Sequence, residues 1–166
     1  MTTSMVVDSR ARDVLRSVGG ASPDLHGAPE EQPGRRAAPV PRAARELMSD
    51  AGRVLNRAVG EADPRERFAQ AHLAALRGAA AVLAARARPR RLAHGNAWEL
   101  LARIAPELEE WSVFFAAGSR TRQAIVAGVS VVVSAREADD MVRAAAEFLH
   151  HIDVTLSRAR AGAAGR

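Results

Sequence analysis

Apolar side chains recur at steps of three and four through most of this chain, and that period binds it to helices packed on one another. Leu47, Ala51, Val54, Leu55 and Ala58 form one such stripe. Phe68, His72, Leu76, Ala79 and Leu83 form a second. Trp98, Leu101, Ile104, Leu108, Trp111 and Phe115 form a third, and Met141, Ala145, Phe148, Ile152 and Leu156 a fourth. Only 4% of the 166 residues are aromatic, with no tyrosine, so the core is expected to be built from Leu, Val, Ala and Ile. Abundant alanine favours helix, because its side chain loses no rotamer freedom there.

The boundaries follow from caps and breakers. The first helix is expected from about Pro41 to Val59, with Gly60 as its stop. Asp63 suits an N-cap, with Pro64 at the first helical position, and the second helix should reach about Arg88. Asn96 caps a third, which Pro106 kinks or divides, and Gly118 is its expected end. Gln123–Gly128 suits a helical turn or two. Val129–Val133 is β-branched and has no second strand to pair with, so an extended or loosely helical segment packed on the core is expected. Ser134 and Glu137 have capping-box spacing for a last helix from Ala135 to about Arg158.

Residues 1–42 are different. Pro23, Pro29, Pro33, Pro39 and Pro41 fall there with Gly19, Gly20, Gly27 and Gly34. This composition is expected to leave a disordered leader, with at most a short frayed helix near Ala11–Val18. The expected organisation is therefore a leader over 1–42, a helical domain over 43–158 and a basic tail over 159–166.

The net charge is +5 with a calculated pI near 11.3, a balance that points toward anionic partners. Yet all 24 basic residues are arginine, and a chain dominated by Arg and Ala also fits GC-rich codon usage. The densest cluster, Arg86, Arg88, Arg90 and Arg91, is the candidate nucleic-acid contact. A solvated loop is the competing reading. Cysteine is absent, so disulfides and thiolate metal sites are excluded. Met1–Arg10 contains no apolar signal segment, and the longest mostly apolar run, Ala124 to Ala135, is too short for a bilayer. A cytoplasmic protein with no membrane partner is expected.

From about Arg67 to Leu156 the chain is similar to a HEPN-like helical family common in actinobacteria. The similarity is carried by N-A-W-E-L-L at 96–101, W-S-V-F-F-A-A-G at 111–118 and S-A-R-E-A-D-D-M-V-R at 134–143. It implies an all-α bundle of four to five helices, often a homodimer. Many such domains are metal-independent RNases and others are inactive binding modules. Active ones carry an Arg, four to six residues and a His, with a polar residue commonly after the Arg. Arg and His from two protomers line a shared cleft.

Four pairs here have that spacing: Arg65/His72, Arg67/His72, Arg88/His94 and Arg143/His150. Five histidines among 24 arginines in 166 residues give about two matches by chance, so geometry must discriminate. Residues five apart on a helix point about 140° away from each other, which disfavours Arg67/His72, and His72 lies on an apolar stripe. Arg88/His94 spans Pro89. Arg143 and His150 are two turns apart on one face, opposite the Met141–Ile152 stripe. In an RNase His150 would move the proton of the 2′-hydroxyl and Arg143 would stabilise phosphate charge. Ala144 departs from the polar residue of active members. The bland alternative is a solvated face on which Arg143 pairs with Glu147.

Glu147, His150, His151 and Asp153 suggest a metal only superficially, since a di-iron bundle needs a second E-x-x-H helix. No cofactor or metal is expected. Glu107, Glu109 and Glu110 suit a helix dipole. Trp98 and Trp111 could stack on bases only if exposed, and their spacing places them in the core. The expected function is an RNA- or nucleotide-associated HEPN-like module without catalysis. The alternatives are a metal-independent endoribonuclease using Arg143 and His150, and a purely structural bundle that binds a protein partner. Limited proteolysis should trim residues 1–42 and leave a resistant core starting near Ala43; protection of the Pro23–Pro41 stretch would show instead that the leader packs.

Overall fold

The computed structural model describes residues 40–86 and 96–164, with side chains up to Arg158. The expected leader up to residue 39, its short helix near Ala11–Val18, and Arg88, Arg90 and Arg91 lie outside the described residues, as does the expected second-helix end at Arg88; of the last leader positions, Val40 is buried against the core and Arg42 already belongs to the first helix. Among the described residues there are five α-helices and no strand: α1 (Arg42–Gly60), α2 (Pro64–Arg86), α3 (Ala97–Ile104), α4 (Glu109–Val126) and α5 (Ala135–Ala164). A single 3-10 turn, Pro106–Leu108, joins α3 to α4.

Local chemistry explains most of these boundaries. Asp63 accepts the Arg65 amide at 3.0 Å and starts α2. Asn96 accepts the Trp98 and Glu99 amides at 3.0 Å each, and Glu99 accepts the Asn96 amide at 3.3 Å, closing a capping box. Ser134 and Glu137 do the same for α5, at 2.8 and 3.2 Å. Pro106 divides the Trp-rich stripe into two helices.

Gly118 does not end a helix: α4 continues to Val126. The stop is Gly128, at φ +71°. Its amide reaches the Ile125 carbonyl at 3.0 Å, and the Val129 amide reaches Ala124 at 2.9 Å, the two bonds of a Schellman turn. Gly118 serves close packing instead. A Cβ there would lie 3.1 Å from both His72 and Met141. Beyond Gly128 the chain has no regular structure up to Ser134, and Val131 and Val133 pack against the core while Val132 stays exposed. The last helix runs six residues past the expected Arg158, to Ala164.

The centre of the bundle is α2, which packs against all four other helices. It is buried on nearly every side, through Phe68, Ala69, Ala71, His72, Ala74, Ala75, Gly78, Ala79, Ala81, Val82 and Leu83. A helix surrounded in this way needs no polar stripe. It is also long and apolar enough to cross a membrane by length and composition, a segment the run from Ala124 to Ala135 had overshadowed in the sequence. Most of it is buried inside the bundle. Its small residues let α5 come close: a Cβ on Gly78 would collide with Leu149 and lie 3.2 Å from Ile152.

Around α2 sits an aromatic layer. Phe115 stacks on Trp98 with ring centroids 5.2 Å apart and lies 5.2 Å from Phe148. Trp111 covers both, 6.1 Å from Phe115 and 5.5 Å from Phe148. Trp98 is buried, but Trp111 is only half-buried, because it sits in the first turns of α4 where the bundle's edge begins. The Gly78 contact is open to test. Gly78→Val should destabilise the protein by about 1–3 kcal/mol through overpacking against α5, read from denaturant unfolding. An unchanged midpoint would show that α2 and α5 are further apart than described.

Candidate functional site

Arg143 and His150 both project from the outer side of α5, away from the buried Met141, Ala145, Phe148 and Ile152. Their surroundings differ. Arg143 is ion-paired with Asp140, one turn earlier on α5. The pair expected with Glu147 does not form: Asp140, three residues away on the N-terminal side, takes the guanidinium. His150 borders an open groove of about 520 Å³ between α1 and α5. Val40, Met48, Leu55, Leu149 and Leu156 supply apolar walls, and Arg45, Ser49, Asp153 and Ser157 supply polar groups. Arg143 does not line this groove.

Arg86, the described member of the arginine cluster, is ion-paired with Glu107. That hydrogen bond from Arg86 holds the Glu107 carboxyl below its ordinary range. The pair ties the end of α2 to the 3-10 turn, so Glu107 does more than meet a helix dipole. The other early pairs are also occupied. Arg65 donates to the Val129 carbonyl at 3.0 Å, and Arg67 bonds the Glu61 carbonyl at 2.8 Å and pairs with Asp139. Among the described residues no three His, Asp or Glu side chains gather as metal ligands.

His72 is 1% exposed. Its Nε2–H donates to the Phe115 carbonyl at 2.8 Å, and the same carbonyl accepts the Ser119 hydroxyl at 3.2 Å. Trp98 Nε1–H donates to Ser119 Oγ at 3.2 Å. The imidazole therefore belongs to a polar chain inside the aromatic layer, with Nδ1 buried and without a hydrogen-bond partner among the described residues. Burial pushes its pKa down to about 4, and the Arg122 charge acts in the same direction against the Phe115 bond. Arg122 is itself buried, and desolvation, helped by Arg77, lowers its pKa. Its Nε has no hydrogen-bond partner among the described residues. Nothing in the sequence marked Arg122 as buried, since arginine is almost always solvated.

One exposed feature escaped the reading by stripes. Val113 and Phe114 on α4 are 67% and 44% exposed, beside the exposed Ala116 and Ala117. Its signal in the sequence is the apolar run between Glu109–Glu110 and Arg120, which mixes with the inward stripe of Trp111 and Phe115.

Residues 58–153, more than half of the chain, match the SAV_6107-like HEPN family. The chain belongs to that family. The HEPN match covers the end of α1 through most of α5, including Arg143 and His150. No curated protein and no solved structure matches the chain significantly.

The buried His72 has a pH consequence. Its folded pKa of about 4 lies below the ordinary histidine value of 6.5, so between the two the unfolded chain binds a proton that the fold refuses. The stability is complete above pH 6.5 and falls as the pH drops toward 4, by about 1.4 kcal/mol per unit for one proton and roughly 3 kcal/mol in all. Urea unfolding between these limits should show that loss in the wild type and a flatter profile in His72→Leu. A constant gap between the two proteins across the range would mean His72 is not held neutral.

Proposed function

We propose that this HEPN domain is an RNA- or nucleotide-associated binding module that does not itself cut RNA, working as a cytoplasmic homodimer. The observation that carries the reading is the groove between α1 and α5. Apolar walls from Met48, Leu55, Leu149 and Leu156 offer a surface for a base. Arg45 and His150 on the same groove suit phosphate oxygens, Arg45 by charge-assisted hydrogen bonds. Arg143 is outside this groove and neutralised by Asp140, so one chain does not assemble a cutting pair. Ala144, in place of the polar residue of active relatives, agrees.

The endoribonuclease reading rests on one specific observation: Arg143 and His150 are both exposed on the outer side of α5, where a second protomer could complete a cleft. The two readings separate in one experiment. The full chain is titrated with labelled single-stranded RNA and with mononucleotides at low salt, in EDTA. Binding without cleavage is expected, weakening with added salt as counterion release requires. Arg45→Ala and His150→Ala should each weaken binding by about tenfold, the effect of losing one charged hydrogen bond. Changing Arg88, Arg90 and Arg91 together to Ala should flatten the salt slope if that cluster also holds phosphates. Cleavage in EDTA that disappears in both Arg143→Ala and His150→Ala would overturn this reading in favour of the RNase, and no binding to any RNA or nucleotide would leave the protein-binding bundle.

A further inference from the structure

The chain enters the fold at the groove between α1 and α5. Val40, the first of the described residues, is buried and lines that groove. Whatever precedes it is therefore tethered at the groove itself. Met48 and Leu55 on α1 and Leu149 and Leu156 on α5 form apolar walls, with Arg45 on the α1 side and Asp153 on the α5 side. Among the described residues neither Arg45 nor Asp153 takes part in an ion pair.

The leader contains one stretch that matches such a surface. Val7, Ala11, Val14, Leu15 and Val18 recur at i, i+4, i+7, i+8 and i+11, the period of an amphipathic helix. On a helix they occupy a strip about 100° wide. Asp8 falls just beyond one edge of that strip and Arg10 beyond the other. The groove has the reciprocal arrangement, a base on one side and an acid on the other. Lengths agree as well: residues 7–18 rise about 17 Å in a helix, and α1 rises about 15 Å from Arg45 to Leu55. The roughly 20 residues between Val18 and Val40 span about 25 Å as a tether, enough to return from either end of the groove.

We propose that Val7–Val18 of this same chain docks in the groove as a helix, with its apolar strip on the walls, Asp8 on Arg45 and Arg10 toward Asp153. So short a helix is marginal alone in water, and it forms where the walls cover its strip. The Asp8 carboxylate takes the guanidinium that phosphate oxygens would otherwise take, and the strip covers the walls that would hold a base. Leader and ligand therefore exclude each other. That exclusion rests on the nucleotide reading of the groove, whereas the docking does not. A protease cut between Val18 and Val40 would release the helix, since docking depends on the effective concentration that the tether supplies.

Hydrogen exchange on the full chain, read by mass spectrometry over residues 7–18, tests the docking without any ligand. Those amides should exchange at least about tenfold slower than in the free peptide of the same sequence. Leu15→Asp should raise them to the free rate, and so should Arg45→Asp, while adding Asp8→Arg to Arg45→Asp should restore protection. Arg45 is exposed, and a circular dichroism melt checks that its reversal leaves the bundle folded. Should it not, Leu15→Asp and Asp8→Arg leave the bundle sequence untouched and give the same readout. Free-rate exchange in the wild type would overturn the proposal. Protection that survives both Arg45→Asp and Leu55→Glu would do so too, by placing the segment on another face, as would protection seen only at high protein concentration, which assigns the groove to the leader of another copy. Competition is read separately, with a labelled single-stranded RNA. Leu15→Asp should bind it about tenfold more tightly than the wild type, the gain expected when a leader filling nine grooves in ten or so is removed. Equal affinity would overturn the exclusion. Absence of binding by both proteins would end the nucleotide reading alone, and the exchange rates would still decide the docking.

Discussion

The bundle depends on the small-residue surface of α2. Five helices can share one core of this size only if a central helix lets the others approach on every side. Ala71, Ala74, Ala75, Gly78, Ala79 and Ala81 provide that approach, and Leu149 and Ile152 of α5 fill the space that a larger residue at 78 would take. Alanine contributes little apolar area itself. The burial comes from what its smallness brings together, chiefly Val54 of α1, Phe115 of α4 and Phe148 of α5, all fully buried. Glycine in a helix interior costs about 1 kcal/mol against alanine, so Gly78 and Gly118 are explained by contact rather than by propensity. Both stand where α2 or α4 meets another helix.

Polar chemistry then fixes how the helices are set against one another. Alanine faces are nearly featureless and would tolerate sliding. The His72–Phe115 hydrogen bond, with Ser119 and Trp98, does not. It ties α2, α3 and α4 at one level, and the edge-on contacts of His72 with Trp98 and Phe115 surround it with rings. At the periphery Arg86–Glu107 and Arg67–Asp139 join α2 to the 3-10 turn and to α5. Partly exposed ion pairs of this kind contribute little individually, so their role is registration more than stability.

Much of this was legible in the residues. The caps at Asp63, Asn96 and Ser134 join groups only two or three positions apart, so local sequence contains the whole cause. The inward stripe of α5 was equally plain, because a helix packed on one side alternates cleanly. Reading failed where the cause was distant. Gly118 and Gly128 look alike in sequence, and only the approach of His72 and Met141 distinguishes a packing glycine from a stopping one. Trp111 shares the stripe of Phe115 yet sits at the bundle's edge. On the site, the exposure of Arg143 and His150 followed from helical period alone. The neighbours did not: Asp140 rather than Glu147 holds Arg143, and Arg45 and Ser49 reach the groove of His150 from a helix a hundred residues away.

Membership of the HEPN family fixes the scaffold more tightly than the chemistry. A histidine acts as acid or base only within reach of the proton it moves, and an arginine stabilises developing charge only if its guanidinium is free to meet it. On α5 the acidic Asp139, Asp140, Glu147 and Asp153 are interleaved with Arg136, Arg143, His150 and His151. With the histidines neutral, carboxylates outnumber guanidiniums among these groups, and a phosphate backbone gains little along such a surface. The groove differs because α1 adds Arg45 to its lining without adding a carboxylate, leaving Asp153 as the acid there among the described residues. Apolar walls beside one guanidinium and an imidazole would favour shape and stacking over net charge in any ligand that entered. The overall +5 of the chain is thus a poor guide to where an anion would settle, and the local pairing of each arginine is the better one.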